Sequence, residues 1–262
     1  MRISVFASGS GGNCALAEAG GAYILVDCGI SLRRLRAFLA QRGLTPDALD
    51  AVFITHEHRD HTSGLAMLTK YHSPLIYALR PVASRLAGMY PQAEGLLRPI
   101  QPGSAAEVKG CALSPFATEH DCPSAGLRID CAEGAMGFCT DLGVVTEEVR
   151  SALAGVNCAL IETNHDVEML LSGPYPAMLK RRILSGRGHL SNEEGAELAV
   201  FLAGQGAESL ILGHISRENN SPGRALGCVA DALERAGYGD VSLAAAAPLG
   251  EVCAELLAKC PA

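Results

Sequence analysis

The chain has 262 residues and a mass of 27.3 kDa, enough to bury the core of one large domain or two small ones. Its apolar fraction of 48%, with 29 glycines and no tryptophan, is typical of a globular α/β protein. No apolar run approaches the roughly 20 residues of a membrane-spanning helix. The net charge of −7 argues against a protein that binds nucleic acid over its whole surface.

The N-terminal segment and the cysteines both predict a cytoplasmic protein. The opening MRISVFASGSGGN contains one basic residue and lacks the length and cleavage pattern of a secretion signal. None of the ten cysteines forms a Cys-x-x-Cys pair, and several lie in apolar runs such as FCTD and NCALIE. We therefore expect buried free thiols in a reducing compartment rather than disulfides or zinc ribbons.

Short strand-like runs alternate with helical patterns along the whole chain. The predicted strands are, in chain order, RISVFAS, AYILVDCG, AVFIT, PLIYAL, AEVKGCALSPFAT, AGLRIDC, AMGFCTD, CALIETN and SLILGH. Helices are predicted at 31–43, 62–71, 191–206 and 221–239, each with a Ser or Thr at its start. The glycine-rich segment 8–13 lies between two strands, which favours a hairpin turn over a phosphate-binding loop. No linker divides the chain, so we expect one domain over residues 1–262.

The segment THEHRDH, residues 55–61, holds three of the eight histidines of the chain and two carboxylates. On an α-helix His56 and His58 would lie about 200° apart and could not bind the same ion. On an extended segment after the strand AVFIT they share a side, and the following turn brings Asp60 and His61 to a second position. Imidazoles and a carboxylate suit zinc, manganese or iron. A polar surface turn would leave this density of ligands unexplained.

Three further candidate ligands end other strand-like runs. FATEH supplies His120, GFCTD supplies Asp141, and SLILGH supplies His214. At the end of an apolar run a side chain can leave the sheet and enter a crevice, and a carboxylate such as Asp141 can bridge two ions. A single histidine in this position is more often structural. Together with segment 55–61, however, the three residues complete two coordination spheres of the kind that hydrolyses phosphodiesters.

The order His-x-His-x-Asp-His, then a lone His, a lone Asp and a final His, resembles the metallo-β-lactamase fold. That family is a four-layer αβ/βα sandwich with a dinuclear metal site at its edge. The resemblance implies one ion on His56, His58 and His120, a second on Asp60, His61 and His214, and Asp141 between them. Asp60 is also assigned a catalytic role.

Local sequence is similar to one branch of this superfamily, the YycJ/WalJ group of exonucleases. The segments that carry the similarity are SGSGGNC, THEHRDHTSGL, ETNHD, YPAMLKRRILSGRGHLSN and LGHISRENNSP. Nucleases that process the 3′ end of transfer RNA pair a glutamate after a strand with a histidine in a Gly-His-Ser/Thr loop, and Glu162 and His189 match those places. A histidine oriented by a carboxylate can protonate the leaving alkoxide. The alternative is that both residues only support ligands or cap a helix.

Basic residues precede His189. From Met169 to Asn192 the chain has no acidic residue, and its cations are Lys180, Arg181, Arg182 and Arg187. They form either a solvated helix face or an edge that binds phosphates, and the resemblance favours contact with a nucleic-acid backbone. His165, next to Glu162 in ETNHD, is a candidate for contact with substrate or metal. Asp27 is a candidate acceptor for a ligating imidazole.

We therefore expect a metal-dependent phosphodiesterase acting on DNA in preference to RNA, a 5′-to-3′ exonuclease that uses a hydroxide held between two ions. The ions are zinc or manganese, with iron as a third option. Alternatives are a small-molecule hydrolase (thioesterase, lactonase or cyclic phosphodiesterase) and an oxygen-using iron enzyme. A non-catalytic scaffold is disfavoured because no ligand is lost. The chain leaves no room for an inserted nucleic-acid-binding domain, so tight substrate binding is expected to depend on a homodimer or a partner protein.

Overall fold

The computed structural model describes residues 1–246 and 252–255. Its strands, in chain order, are β1 (Arg2–Ala7), β2 (Cys14–Ala19), β3 (Ala22–Val26), β4 (Ala51–Ile54), β5 (Leu75–Leu79), β6 (Leu97–Ile100), β7 (Ala106–Val108), β8 (Cys111–Thr118), β9 (Ser124–Cys131), β10 (Gly134–Cys139), β11 (Cys158–Glu162), β12 (Ser209–Gly213), β13 (Ser242–Ala245) and β14 (Val252–Glu255). Its helices are α1 (Leu32–Ala40), α2 (Arg59–Thr62), α3 (Leu65–Tyr71), α4 (Arg80–Met89), α5 (Glu147–Leu153), α6 (Val167–Ser172), α7 (Ala177–Ile183), α8 (Asn192–Gly204) and α9 (Pro222–Arg235), with 3₁₀ turns at Pro46–Ala48 and Pro91–Leu96.

These strands form two sheets of seven strands each. The first has the order β14-β1-β2-β3-β4-β5-β6 and the second the order β13-β12-β11-β10-β9-β8-β7. The strands from β3 to β6 run parallel, as do those from β10 to β13, whereas the remaining neighbours are antiparallel. Within each parallel block the carboxyl ends lie along one edge, the edge at which open α/β sheets bind ligands.

Two apolar clusters hold the sheets between helices. One joins side chains of both sheets to α1, α3 and α4, and includes Leu35, Leu68 and Leu127. The other packs α5, α8 and α9 against the second sheet, and includes Leu198 and Val229. Each fully buried side chain of this size contributes about 1.5–3 kcal/mol. The layers therefore run helix, sheet, sheet, helix, which confirms the predicted αβ/βα sandwich.

Three helices begin where the sequence predicts. Ser31, Ser191 and Ser221 each accept a hydrogen bond from a backbone N–H in the first turn of α1, α8 and α9. At α8 the side chain of Glu194 also accepts from the Ser191 backbone N–H, which completes a capping box. The stripe of buried leucines predicted for α1 is present, and Leu35 and Leu39 are fully buried.

One predicted strand is wrong. The segment AEVKGCALSPFAT forms two strands, β7 and β8, joined at Lys109 and Gly110. Both residues have positive φ, 46° and 78°, as a two-residue hairpin turn requires. Glycine adopts that conformation readily but lysine does not, so the sequence at position 109 carried little turn signal.

The cysteines agree with the expected free thiols. The eight cysteines whose side chains the structure describes are all free, namely Cys14, Cys28, Cys111, Cys122, Cys131, Cys139, Cys158 and Cys228. Cys253 and Cys260 lie outside the described side chains. Within residues 1–246 and 252–255, no helix is long and apolar enough to span a membrane. The single domain over residues 1–262 stays a prediction, since it includes 247–251 and 256–262, which the structure does not describe.

Candidate metal centre

The site is built from residues that follow the carboxyl ends of parallel strands. Asp27 and His214 directly follow β3 and β12, whereas His56 and Asp141 follow β4 and β10 after one residue. Asp27, Asp141 and His214 have positive φ, at 61°, 60° and 54°. Non-glycine residues rarely adopt this conformation, and each such residue costs about 1–3 kcal/mol. The strain is retained where the chain turns sharply and carries a side chain out of the sheet.

The first donor group consists of His56, His58 and His120. Nε2 of His56 lies 3.0 Å from Nδ1 of His58. The ring of His120 lies 5.2 Å from that of His56 and 5.5 Å from that of His58. One ring nitrogen from each of the three, and the sulfur of Cys122, all lie within 4.8 Å of one another. The structure thus brings together the three residues predicted for the first ion and adds a thiol that the sequence analysis did not assign to the site.

The second donor group consists of Asp60, His61 and His214, which also offer ligand atoms within 4.8 Å of one another. Asp141 lies between the two groups. Its Oδ2 is 3.4 Å from Nε2 of His61 and its Oδ1 is 3.4 Å from Nε2 of His214. Asp141 also shares a donor group with His56. All seven residues predicted as ligands therefore meet at one edge of the sandwich.

The chemistry of these donors fits divalent metal ions. Oδ2 of Asp141, Nε2 of His214 and Nδ1 of His120 are buried and have no hydrogen-bond partner within the described chain. A buried polar atom without a partner costs free energy, and a carboxylate oxygen costs more than a neutral group. A cation among these atoms would satisfy them. Imidazole and carboxylate together suit zinc, manganese and iron.

Asp27 and Thr55 orient His61. Oδ2 of Asp27 accepts a hydrogen bond from Nδ1 of His61 at 2.7 Å, and its Oδ1 accepts from the Thr55 backbone N–H at 2.9 Å. This leaves Nε2 of His61 to face the other donors, as in many metal sites where a carboxylate holds the ligating imidazole. The contact predicted for Asp27 is present. Gly29 lets this loop pass the ligand segment, because a Cβ there would lie 1.6 Å from the Asp60 carbonyl oxygen.

Asn13 is a site residue that the sequence analysis missed. The predicted hairpin is confirmed, since β1 and β2 pair in antiparallel fashion around segment 8–13. The loop does more than turn, however. Nδ2 of Asn13 lies 2.8 Å from Nε2 of His61 and 3.3 Å from Oδ2 of Asp60, and its backbone N–H donates to the Asp60 carbonyl. The asparagine that ends SGSGGN was the one signal of this contact.

The turn that carries Asp60 and His61 also differs from the prediction. It forms the short helix α2, and α3 begins after Gly64 without a side-chain cap. The prediction that a Ser or Thr begins and caps a helix over 62–71 is therefore wrong. Oγ1 of Thr62 donates to the His58 carbonyl and Oγ of Ser63 donates to the Gly29 carbonyl, so both hydroxyls fasten the ligand-bearing turn instead.

Glu162 contacts two histidines at once. Its Oε1 accepts hydrogen bonds from Nδ1 of His189 and Nδ1 of His214, at 2.8 Å each. Burial would raise the pKa of Glu162, but the charges and hydrogen bonds of the two histidines lower it well below its usual value. The predicted contact between Glu162 and His189 is present. Glu162 also contacts the predicted ligand His214, as expected if it supports a ligand. His189 also belongs to a donor group with Asp141, Glu162 and His214.

A cavity of about 220 Å³ adjoins the donors and is bordered by His120, His189 and His214. Among the predicted substrate contacts, Arg182 and Arg187 line it, whereas Lys180 and Arg181 are not among its lining residues. Nζ of Lys180 instead donates to the carbonyls of Leu171 and Gly173, at 2.6 and 2.7 Å, and so caps the end of α6. Of the four basic residues expected to contact the substrate, only Arg182 and Arg187 therefore line the cavity.

The two arginines have acidic partners that the local sequence did not reveal. Arg182 forms an ion pair with Asp121, and Nε of Arg187 lies 3.9 Å from Oε2 of Glu119. Both acids belong to the loop between β8 and β9, which also carries His120. The absence of acidic residues from 169–192 thus did not mean unopposed positive charge.

His165 does not line this cavity and belongs to none of the donor groups. Its side chain is buried, it borders a neighbouring cavity of about 270 Å³ that also touches His189, and neither ring nitrogen has a hydrogen-bond partner in the described chain. Its predicted contact with substrate or metal therefore receives no geometric support from the cavity or the donor groups.

Two histidines of the second donor group, His61 and His214, have raised pKa values. Burial would lower the pKa of His214, but Asp141 and Glu162 raise it to about 9. Burial would also lower the pKa of His61, but Asp27 and Asp141 raise it well above its usual value. The first group behaves differently, because burial and neighbouring histidines lower the pKa of His56 well below its usual value.

A pH dependence of metal binding follows from this difference. Below about pH 9 a metal ion must displace a proton from His214, so the affinity of the second group should rise about tenfold per pH unit for each displaced proton. Affinity at the first group should rise less steeply over the same range, because burial lowers the pKa of His56 and of His120. Titration of the metal-free protein against a competing chelator between pH 6 and 9 measures both, and equal slopes for the two groups would contradict this expectation.

An αβ/βα sandwich with histidine and carboxylate donors at the edge where its strands end defines a protein of the metallo-β-lactamase fold. The model of the beta-lactamase superfamily domain matches residues 22–215, and the chain belongs to this family. The exodeoxyribonuclease WalJ of Streptococcus pneumoniae is 34% identical over 226 residues, which cover 84% of this chain and 83% of the relative. The exodeoxyribonuclease YycJ of Bacillus anthracis is 30% identical over 243 residues, which cover 91% of each chain.

A solved structure agrees on the fold. The metallo-beta-lactamase fold protein YhfI from Bacillus subtilis superposes with a TM-score of 0.73 at 17% identity, and the match covers 97% of this chain and 99% of that one. At 17% identity this similarity concerns the fold alone.

Proposed function

We propose that this protein is a metal-dependent exodeoxyribonuclease that hydrolyses the phosphodiester bonds of DNA in the 5′-to-3′ direction. The observation that carries the proposal is a pair of donor groups sharing Asp141, next to a cavity lined by Arg182 and Arg187. Its similarity to WalJ and YycJ, both named exodeoxyribonucleases, supports DNA as the substrate. Hydrolysis of a thioester or a lactone would not require two arginines beside the donors.

The proposed cofactor is a pair of divalent ions, zinc or manganese, with iron as a third option. When bound, they would neutralise the scissile phosphate and lower the pKa of the attacking water. His56, His58 and His120 would hold one ion, Asp60, His61 and His214 the other, and Asp141 both. Burial would raise the pKa of Asp60, but its hydrogen bond with His61 lowers it to about 2, so its carboxylate is ionised at neutral pH and can accept a hydrogen bond from the water.

His189 is the proposed proton donor. Glu162 accepts from Nδ1 of His189, which orients the ring, while the ring borders the cavity. The other nitrogen, Nε2, would then give its proton to the leaving oxygen of the phosphodiester. Glu162 acts through His189 and through His214, so it is a positioning residue for the proton donor and for a ligand.

Arg182 should contribute to DNA binding more than its neighbour Arg181. Replacing Arg182 with glutamine removes a cation from the cavity and leaves Asp121 without its ion pair, so we expect weaker binding and a slope of log affinity against log salt that is smaller by about 1. Fluorescence anisotropy with labelled DNA, in a His189→Ala background to suppress hydrolysis, measures this. Arg181→Gln on the same helix is the matched control, and equal slopes for both variants would exclude a phosphate contact by Arg182.

The direct test of the function uses single- and double-stranded DNA and RNA labelled at either end. The metal-loaded protein is expected to shorten DNA from its 5′ end, to cleave RNA more slowly and to leave thioesters, lactones and cyclic nucleotides unchanged. Turnover of one of those small molecules without cleavage of DNA would instead assign the site to a small-molecule hydrolase.

Two further features belong to the proposal. The eight free cysteines support a reducing compartment, the cytoplasm. A homodimer is supported by exposed apolar side chains on and after the helices beside the cavity, namely Leu171, Met178 and Leu184, which are 57%, 76% and 45% exposed. Light scattering during size-exclusion chromatography, repeated with Met178→Glu, measures the dimer and its dependence on this surface.

A further inference from the structure

We propose that the Cys122 thiolate is a further protein ligand of the ion held by His56, His58 and His120, in addition to the shared Asp141. The sulfur lies within 4.8 Å of one ring nitrogen of each of these histidines. Nitrogen and sulfur donors around one tetrahedral ion lie about 3.3–3.6 Å apart, so small rotations of the side chains close the shell. The inference rests on the metal centre of the proposed function, but not on the identity of its substrate.

The backbone around Cys122 is held at both ends. Residues 119–123 connect β8 to β9, and the pair Thr118–Ser124 closes this five-residue loop. Pro123 follows Cys122 directly, and the residue before a proline is restricted to extended conformations. Cys122 is therefore held close to His120, two residues earlier in the same short loop.

Contacts with other elements also fix this loop. The Glu119 carbonyl accepts a hydrogen bond from the Gly143 backbone N–H at 2.8 Å, just after Asp141. Asp121 forms its ion pair with Arg182 of α7. The loop is thus attached to the segment that carries the shared carboxylate and to the wall of the cavity, so the thiol is presented to the first group by an anchored backbone.

Asp121 is the competing donor at this place, and its contacts assign it another role. Its Oδ1 lies 3.5 Å from Nε2 of His58, on the side of the ring opposite to the Nδ1 that approaches His56. The same oxygen lies 3.4 Å from Nε2 of His120, whose Nδ1 has no hydrogen-bond partner in the described chain. A carboxylate in that position orients the imidazole rather than the ion. Asp121 also pairs with Arg182, whereas Cys122 belongs to one donor group with the three histidines.

The cysteine-rich composition does not explain this placement. Of the eight cysteines that the structure describes as free, Cys122 is the only one that belongs to a donor group. Cys228 is a comparable half-buried thiol, but it lies on α9 beside Glu193 and Arg150, in a cavity that contains no histidine among its lining residues. Cys228 is therefore a suitable control.

A sulfur ligand has two chemical consequences. The S–H proton leaves to solvent and a metal–sulfur bond forms, and thiolate favours zinc, cadmium and cobalt over manganese. Zinc sites that catalyse hydrolysis usually have three protein ligands and one open position. With Asp141 and Cys122 both bound, the first ion would have five protein ligands, so water could bind it only as a sixth ligand or after the sulfur dissociates. The first group is therefore selective for thiophilic ions.

Metal substitution tests the inference without nucleic acid. Cadmium or cobalt added to the metal-free protein should produce a sulfur-to-metal charge-transfer band with one equivalent of ion. The band should be absent from Cys122→Ser and Cys122→Ala and unchanged in Cys228→Ser. Zinc affinity of the first group should fall about 10- to 100-fold in the Cys122 variants, with a change of less than about threefold for manganese.

A band that persists in both Cys122 variants, or a wild-type protein that binds cadmium without the band, would overturn the inference. If wild-type protein binds no metal at all, both the metal centre and the inference fail. If the band behaves as expected but no DNA is cleaved, the proposed function fails and the ligand assignment stands.

Discussion

Replacing Asp141 with alanine is expected to reduce DNA hydrolysis at least about 1,000-fold, since it removes several kcal/mol of stabilisation at the metal centre. Among the carboxylates that the structure describes, Asp141 alone shares donor groups with histidines assigned to both ions, namely His56 for the first and His61 and His214 for the second. Its two oxygens lie 3.4 Å from Nε2 of His61 and of His214. Without it the two groups lose their shared anion. We therefore expect the variant to bind fewer than two ions, as measured by mass spectrometry of the metal content.

A second variant is needed to distinguish loss of catalysis from loss of folding. Asp141 has a φ of 60°, which alanine tolerates poorly, whereas asparagine adopts it and keeps the shape of the side chain. Asp141→Asn should therefore fold as the wild type does and still lose activity. Asp130→Ala is the matched control, because Asp130 pairs with Arg128 on β9 and belongs to none of the donor groups. Persistent cleavage by both Asp141 variants would mean a contaminating nuclease or a wrongly assigned centre.

Replacing His189 with alanine is expected to slow DNA hydrolysis about 100- to 10,000-fold and to leave the metal content unchanged. His189 borders the cavity and is held by Glu162, but the seven proposed ligands are complete without it. Single-turnover rates at saturating DNA, together with metal analysis, measure both expectations. His72→Ala is the control, since His72 pairs with Asp47 away from the donor groups.

The leaving group gives this prediction a second readout. An aryl phosphodiester such as a nitrophenyl ester releases a stable anion that needs no proton, so the His189 variant should hydrolyse it nearly as fast as the wild type. A variant that is equally slow with both substrates would have lost something other than a proton donor. Loss of an ion would make His189 a ligand, in keeping with its donor group of Asp141, Glu162 and His214.

The sequence was most informative about features that depend on residues close together in the chain. Helix starts at Ser31, Ser191 and Ser221 depend on residues three or four positions away, and they were predicted correctly. The donor types also stood out locally, since His56 to His61 lie within one short segment after a strand. Parallel strands end at a common edge, so candidate ligands at strand ends could be expected to meet. The resemblance to a known family supplied their grouping.

The tertiary structure alone decided which distant side chains complete or oppose the site. Asn13 reaches His61 from 48 residues away, and Glu162 holds His214 as well as His189. Asp121 forms an ion pair with Arg182, and Lys180 donates hydrogen bonds to backbone carbonyls instead of lining the cavity.

These contacts depend on how separate loops pack against one another, which no periodicity or spacing along the chain encodes. By itself, therefore, the sequence determined the architecture and the kinds of donor. Only the packing of loops at the sheet edge decided which side chains face the donors, which neutralise one another, and that Cys122 lies among the histidines.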